Sequence, residues 1–247
     1  YYSLDGDNFL LFGEPYQLVW GNYWGDRLGI YCFNDKGETD FVDVDYEGKR
    51  ILSQSKLGLE TDAQKLAGNL KLKSVSTVKH VTDDYRMMTG KRSHCVNEAS
   101  ERIYSFENEA GQTLEVTFRT YNDGVALKYG INAITDKEYV THKYTAYAVP
   151  KGARRWIQEY ELGYEKFFPL LTDGKLADRP EINLWGYPAL VEPQDSVFML
   201  ITEANIRRGH CGSLLYNGDQ RDSYQINWPI NSRLVMAHGS LPGGCLS

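Results

Sequence analysis

The sequence predicts an all-β fold: one large antiparallel domain, two extended sheets packed face to face, with few short helices. Three observations carry this. Runs of alternating apolar and polar residues recur along the chain. Turns rich in Gly, Asn and Asp separate them, at Asp35-Lys-Gly37, Glu109-Ala-Gly111, Thr172-Asp-Gly174 and Asn217-Gly-Asp219. Sustained 3.6-residue periodicity is scarce. Short strands punctuated in this way are the mark of a sandwich or barrel.

Taken in order, Asp43-Val-Asp45 reads as an isolated acidic pair in a turn or at the surface. Thr61 to Leu70 fits a short helix, limited by Gly68 and Asn69. Lys71, Lys73 and Lys79 alternate with apolar residues, as on the wet face of a strand, and Asp83-Asp84 is a second isolated acidic pair. Ile103 to Glu107, Leu114 to Thr120 and Val125 to Ile131 read as consecutive strands. The last two flank Asn122-Asp123-Gly124, whose residues tolerate the positive φ of a tight hairpin. Leu114, Val116 and Phe118 then share a face with Val125, Leu127, Tyr129 and Ile131. Tyr139 to Val149 is one long alternating stretch that includes His142, expected to be packed or hydrogen-bonded. Val197 to Ile201 is a short apolar run suited to a buried strand, and Ser223 to Trp228 and Arg233 to His238 follow. No linker, low-complexity segment or internal repeat intervenes, so residues 1–247 read as a single domain. The Gly-rich tail from Gly239 to Ser247 resembles a connection to something further on.

Composition narrows the function classes. Hydrophobic content of 42% with 24% charged residues belongs to a globular chain. Net charge is −6 with the two signs interspersed, so no basic block is present to displace counterions from a phosphate backbone. A nucleic-acid partner is not expected. No apolar run approaches the roughly 20 residues of a membrane-spanning helix. The chain begins Tyr-Tyr-Ser-Leu-Asp, without a secretory signal; an exported protein would have had it removed. Eighteen Tyr and 5 Trp stand against 9 Phe, and rings with a polar tip suit sugar faces. Strands also take aromatics for packing alone, which accounts for most of them.

Cys32, Cys95, Cys211 and Cys245 are widely spaced and allow three pairings. His94-Cys95 and His210-Cys211 lack the tight spacing of a structural zinc site and read as buried thiols beside histidines. His80, His94, His142, His210 and His238 show no paired metal spacing, and none sits in an acidic context. No nucleophile elbow, phosphate-binding loop or zinc-protease motif is present.

The densest chemistry lies in Trp156-Ile-Gln-Glu-Tyr-Glu-Leu-Gly-Tyr-Glu-Lys-Phe-Phe168. As a strand, it sets Glu159, Glu161 and Glu165 opposite Trp156, Tyr160 and Tyr164. As a helix, it stacks the aromatics at 156, 160, 164 and 168 on one stripe, against the preference of Gly163. Such carboxylates fit a calcium site of roughly six to eight oxygen ligands, or an acid/base pair roughly 5 to 9.5 Å apart. They equally fit a solvated acidic face over an aromatic core, which spacing alone favours.

Several phrases in order resemble the N-terminal domain of glycoside hydrolase family 97. Phe118-Arg119, Tyr121-Asn-Asp-Gly-Val-Ala126 and Lys128-Tyr129 resemble its "FRAYDDGVAFRY". Ser55-Lys-Leu-Gly-Leu59 resembles "SxLGL" after the Gly48-Lys49 turn, and Gly90-Lys91 with Asn97-Glu98 resembles "GK…NEL". Tyr164-Glu165 resembles the "YE" after a tryptophan-bearing loop, and Thr202-Glu203-Ala204 resembles "HEA" without its histidine. The family's "NTPL" stands here as Gly186-Tyr187-Pro188-Ala189.

The resemblance implies a β-super-sandwich of the galactose mutarotase-like kind, ahead of a catalytic (β/α)₈ barrel expected downstream. It also implies an exported, periplasmic α-glucosidase or α-galactosidase of polysaccharide-harvesting bacteria. Calcium near the active site would be held by Glu165, with the other ligands and the acid/base residues on the barrel. Trp156 would lie near the sugar of an oligosaccharide substrate. The domain itself would be non-catalytic, since one glutamate cannot act as both general acid and general base. The alternatives are a free-standing carbohydrate-binding module and, last, a mutarotase-type sugar epimerase, which needs a His and a carboxylate paired in a concave site.

Overall fold

A computed structural model describes residues 17–21, 28–33, 41–47, 49–132, 138–204, 206 and 212–229. Within them every regular element is a strand and every pairing is antiparallel, as the sequence predicts; no helix occurs among the described residues.

The first sheet is a meander of β1 (Gln17–Gly21), β2 (Leu28–Phe33), β3 (Phe41–Tyr46) and β4 (Lys49–Lys56). Asp45 lies inside β3, nearly buried and paired with Arg50, so this member of the first acidic pair is neither in a turn nor at a free surface. Next come β5 (Leu59–Thr61) and β6 (Lys65–Leu66), where a helix fitted the sequence. Backbone pairing explains the difference: Thr61 pairs with Val140 of a later strand, and its N–H donates to Gln64 O at 2.8 Å, closing a tight turn onto β6 with a bond that runs opposite to a helical one.

A five-stranded sheet follows from β7 (Lys71–Val75), β8 (Lys79–Arg86), β9 (His94–Glu107), β10 (Thr113–Thr120) and β11 (Val125–Ile131). The β10–β11 hairpin matches expectation in its strands and shared face, although no residue of the Asn122-Asp123-Gly124 turn takes a positive φ. Leu114 opposes Ile131, Val116 opposes Tyr129 and Phe118 opposes Leu127, while the Tyr121 N–H closes the turn on Gly124. Lys71 and Lys73 are on a wet face, but Leu72 and Val75 are exposed too, so β7 has no dry side.

The expected long strand from Tyr139 is cut in two, β12 (Val140–Lys143) and β13 (Ala146–Ala148). Between them the Tyr144 N–H donates to Gly58 O and Thr145 O accepts from Ile226 N–H, so the chain leaves one sheet for another. β12 joins β5 and β6. His142 is exposed and stacks on the Tyr144 ring. The remaining strands are β14 (Arg154–Trp156), β15 (Leu170–Leu171), β16 (Leu184–Trp185), β17 (Ala189–Gln194), β18 (Val197–Ile201), β19 (Leu214–Tyr216) and β20 (Ser223–Asn227). They form two sheets, ordered β13-β20-β19-β16 and β15-β14-β17-β18. The run expected as Arg233–His238 and the Gly-rich tail lie outside the described residues, as do His210, His238, Cys211 and Cys245.

Among the described residues the strands pair as five sheets, and two apolar clusters lie among them. Leu59, Leu66, Leu114, Val116 and Phe118 pack between the β5/β6 hairpin and the β9–β11 face. Val44, Ile157, Trp185, Val191, Leu215 and Tyr224 form the second cluster, and Val125 touches both. A buried polar lattice braces the second. Trp185 Nε1 donates to Asn217 Oδ1 at 3.0 Å, and Asn217 Nδ2 donates to Gly174 O at 2.7 Å. The fully buried Arg155 donates to Arg221 O, the Tyr224 hydroxyl and Asp222 at 3.1, 3.2 and 2.7 Å. Burial opposes its charge, but Tyr224 and Asp222 outweigh that, and its pKa rises above the ordinary arginine value.

Candidate functional site

Beyond Trp156, residues 157–168 form neither a regular strand nor a helix. Trp156 ends β14 and pairs across to Leu170 of β15, so residues 157–169 form a long loop closed by those two side chains. Near its root the loop is tied down: Ile157 and Gln158 are buried, and Glu159 bridges to Trp185. Gly186 N–H donates to Gln158 O at 3.0 Å, and Tyr160 N–H to Leu184 O at 2.9 Å. These bonds consume the backbone groups that a regular helix or strand would have used.

The tip is solvent-facing. Residues 161–168 are all exposed, Phe167 at 90%, and Tyr164 takes a φ of +52° in a turn where its N–H donates to Glu161 O. Tyr160 and Tyr164 meet edge to face at 6.1 Å.

The three carboxylates go different ways. Glu159 is held by Arg179 at 2.6 Å, and Glu161 faces Lys166 at 3.9 Å. Glu165 is exposed, its side chain beside the Gly163 backbone. Among the described residues no three His, Cys, Asp or Glu side chains gather as a metal cage. Glu165 therefore fits a hard cation as one oxygen ligand among the several such an ion takes, not as a complete site.

Trp156 is half-buried. Its ring lies 6.2 Å from that of Phe198, and the Arg154 guanidinium sits 5.9 Å above it.

Two features beyond the sequence reading emerge. Glu203, in the phrase that resembles "HEA", accepts Ser213 N–H at 2.9 Å and the Ser213 hydroxyl. The buried phenols of Tyr147 and Tyr187 neighbour it, and burial pushes both pKa values far above the ordinary tyrosine value. The second is an acidic histidine: His94 Nε2 lies 2.7 Å from Asp84, a neighbour only because β8 pairs with β9. Both are exposed, on the ribbon formed by β8 and β9. Cys95 beside it is free and half-buried, not the buried thiol expected.

Residues 28–241 match the family described as Glycosyl-hydrolase 97 N-terminal. The chain belongs to that family. Solved structures similar to this glycosyl-hydrolase 97 N-terminal domain include a beta-arabinopyranosidase, with a TM-score of 0.75 and 24% identity over 86% of this chain and 35% of that one. A family 97 enzyme from Pseudoalteromonas sp. strain K8, solved with acarbose, gives 0.72 and 17% over 86% of this chain and 32% of that one. At such identities the likeness shows the fold.

Two curated relatives match over shorter stretches. A beta-xylosidase of Formosa agariphila is 40% identical over 58 residues, 22% of this chain and 10% of its own length. A "probable retaining alpha-galactosidase" of Streptomyces bingchenggensis is 26% identical over 127 residues, 51% of this chain and 20% of its own length. The chain thus spans a small part of the curated relatives it matches.

Proposed function

We propose that this domain is the non-catalytic N-terminal part of a calcium-dependent α-glycosidase, packing on a catalytic barrel and lending it one calcium ligand, Glu165. The observation that carries this is the loop 157–169. Its root is pinned by Gln158, Glu159 and Tyr160, while its tip turns two carboxylates to solvent, Glu161 facing Lys166 and Glu165 with no cage around it among the described residues. A pinned loop ending in one unshared oxygen donor suits a site completed by a second body. Calcium, when bound, would supply a fixed positive charge beside the sugar. Glu165 would hold and orient it, and Trp156 at the root would border the sugar with its half-exposed ring. The substrate class proposed is an α-glucoside or α-galactoside, on an exported enzyme.

The test uses the full-length polypeptide. Glu165→Gln keeps the shape of the side chain and removes its charge. The variant is expected to bind calcium at least about tenfold more weakly by calorimetry, the scale of one lost charged ligand interaction of about 1.4 kcal/mol or more. Calcium affinity and α-glycosidase turnover both equal to wild type would refute the assignment.

Exposed Tyr164 and Phe168 favour one further reading, an independent carbohydrate-binding module. Firm binding of a glycan array by this chain alone would select it.

A further inference from the structure

One row on the outward face of the β15-β14-β17-β18 sheet is apolar across all four strands. Register places Trp156 between Leu170 and Leu190, and Leu190 beside Leu200, so one row takes a residue from each of the four strands. Phe198 stands two residues before Leu200 on the same face and meets the Trp156 ring. Leu170, Phe198 and Leu200 are 50%, 58% and 59% exposed. The opposite face carries Arg155, Leu171 and Val191, all buried in the second cluster.

An antiparallel sheet with one wet face alternates apolar-in and polar-out. Here that row has no polar member, and the next pair on the same face, on the two central strands, is the Arg154–Glu192 ion pair. β18 is therefore apolar on both faces, the pattern of a strand covered on both sides. The sequence reads Val197 to Ile201 as a buried strand, whereas the structure buries only one face of it. A contiguous apolar face of this kind marks a contact surface.

We infer that this face is where the catalytic domain of the same polypeptide docks. The inference rests on the functional reading above and adds the surface. The Trp156–Leu170 pair that forms part of the row also closes the loop bearing Glu165, so a body that completes a calcium site at Glu165 lies against this edge of the sheet. The similar solved enzymes supply such a body: this chain covers only 35% and 32% of their length. The face then serves as the seat and the loop as the reach.

Hydroxyl-radical footprinting of the full-length protein tests this. Phe198, Leu200 and Leu170 are expected to lose oxidation to the level of the core residues Leu171 and Val191. In a Phe198→Glu variant, oxidation at Trp156 and Leu200 returns and calcium binding weakens with Glu165 still in place. Oxidation of Phe198 and Leu200 at the rate their exposure in this domain dictates would overturn the inference. So would protection that appears only at concentrations where the protein dimerises, since the occupant would then be a second copy. The two readings fail separately. Unchanged calcium binding in Glu165→Gln removes the ligand assignment and leaves the footprint standing; an unprotected face removes the docking surface and leaves calcium binding unaffected.

Discussion

Gly174 lies where a single methyl group would break the lattice that braces the second core. Its φ is +77°, and a Cβ built there would stand 2.1 Å from Arg221 O and 3.0 Å from Arg155 Nη1. That carbonyl accepts from Arg155 at 3.1 Å and from Asn217 at 3.3 Å. Gly174→Ala thus incurs a left-handed backbone penalty of about 1–2 kcal/mol. It also displaces the carbonyl from a charged donor, a loss of about 1.5–3 kcal/mol, for a total of roughly 3–5 kcal/mol. Gly152 supplies the control: its φ is +80° and nothing lies within 4 Å of its hypothetical Cβ, so Gly152→Ala meets the backbone penalty alone. Urea unfolding followed by tryptophan fluorescence compares the two variants. Gly174→Ala is expected to be the less stable by about 2–3 kcal/mol. Destabilisations within about 0.5 kcal/mol of each other would refute the lattice argument.

Leu59, wholly buried in the first cluster, is expected to cost about 2–5 kcal/mol as Leu59→Ala in the same unfolding experiment, whereas Met88→Ala on the fully exposed ribbon tip stays within about 0.5 kcal/mol. The Arg154 hydrogen bond, helped by Ser196 N–H, holds the Glu192 carboxyl below the usual glutamate range. The unfolded chain therefore takes up that proton first, and the stability from this group is present above about pH 4.3 and lost as pH falls through the folded value. Glu192→Gln should flatten that part of an acid-unfolding curve, and an unchanged curve would discount the pair. Burial, chiefly, raises the Tyr147 and Tyr187 phenols, so the unfolded chain ionises them first. Stability should fall as pH rises past about 10, less steeply in Tyr187→Phe, and equal alkaline slopes would count against it.

What the sequence revealed of the fold follows from where structure is decided locally. In the β10–β11 hairpin, alternation and turn chemistry agree, so both its strands and its register were legible. The break at Tyr144-Thr145 was not, because no Gly or Pro marks it. It is set by Gly58 and Ile226, residues remote in sequence. Nothing local marks Arg155 of β14 as buried, and partners 66 to 69 residues away help make its burial tolerable. Asn217 reads as an ordinary turn residue because Trp185, whose indole N–H donates to its side-chain oxygen, comes from another strand. For the site, spacing found the acidic-aromatic segment but offered two regular geometries for it. The turn in which Tyr164 takes a positive φ and donates to Glu161 O breaks both, and it lies between Glu159, held by Arg179, and exposed Glu165. The His94–Asp84 pair escaped notice for a similar reason: ten residues separate the two, and only the β8–β9 register joins them.

The crossing at Tyr144-Thr145 has a consequence for how the protein is made. β13 leaves that crossing to pair with β20, whose partner residues are Ser223 to Gln225. On a translating ribosome, β13 emerges some 75 residues before its partner, about 4–15 seconds ahead at ordinary elongation rates. Throughout that interval one edge of β13 presents unpaired backbone groups, the state that invites association between nascent chains. The native edge forms only once the Tyr224 strand is released, so this fold is completed late and from its far end. Chaperone occupancy during synthesis should therefore persist until β20 clears the exit tunnel, and ribosome-bound chains arrested before that point should be the ones that aggregate.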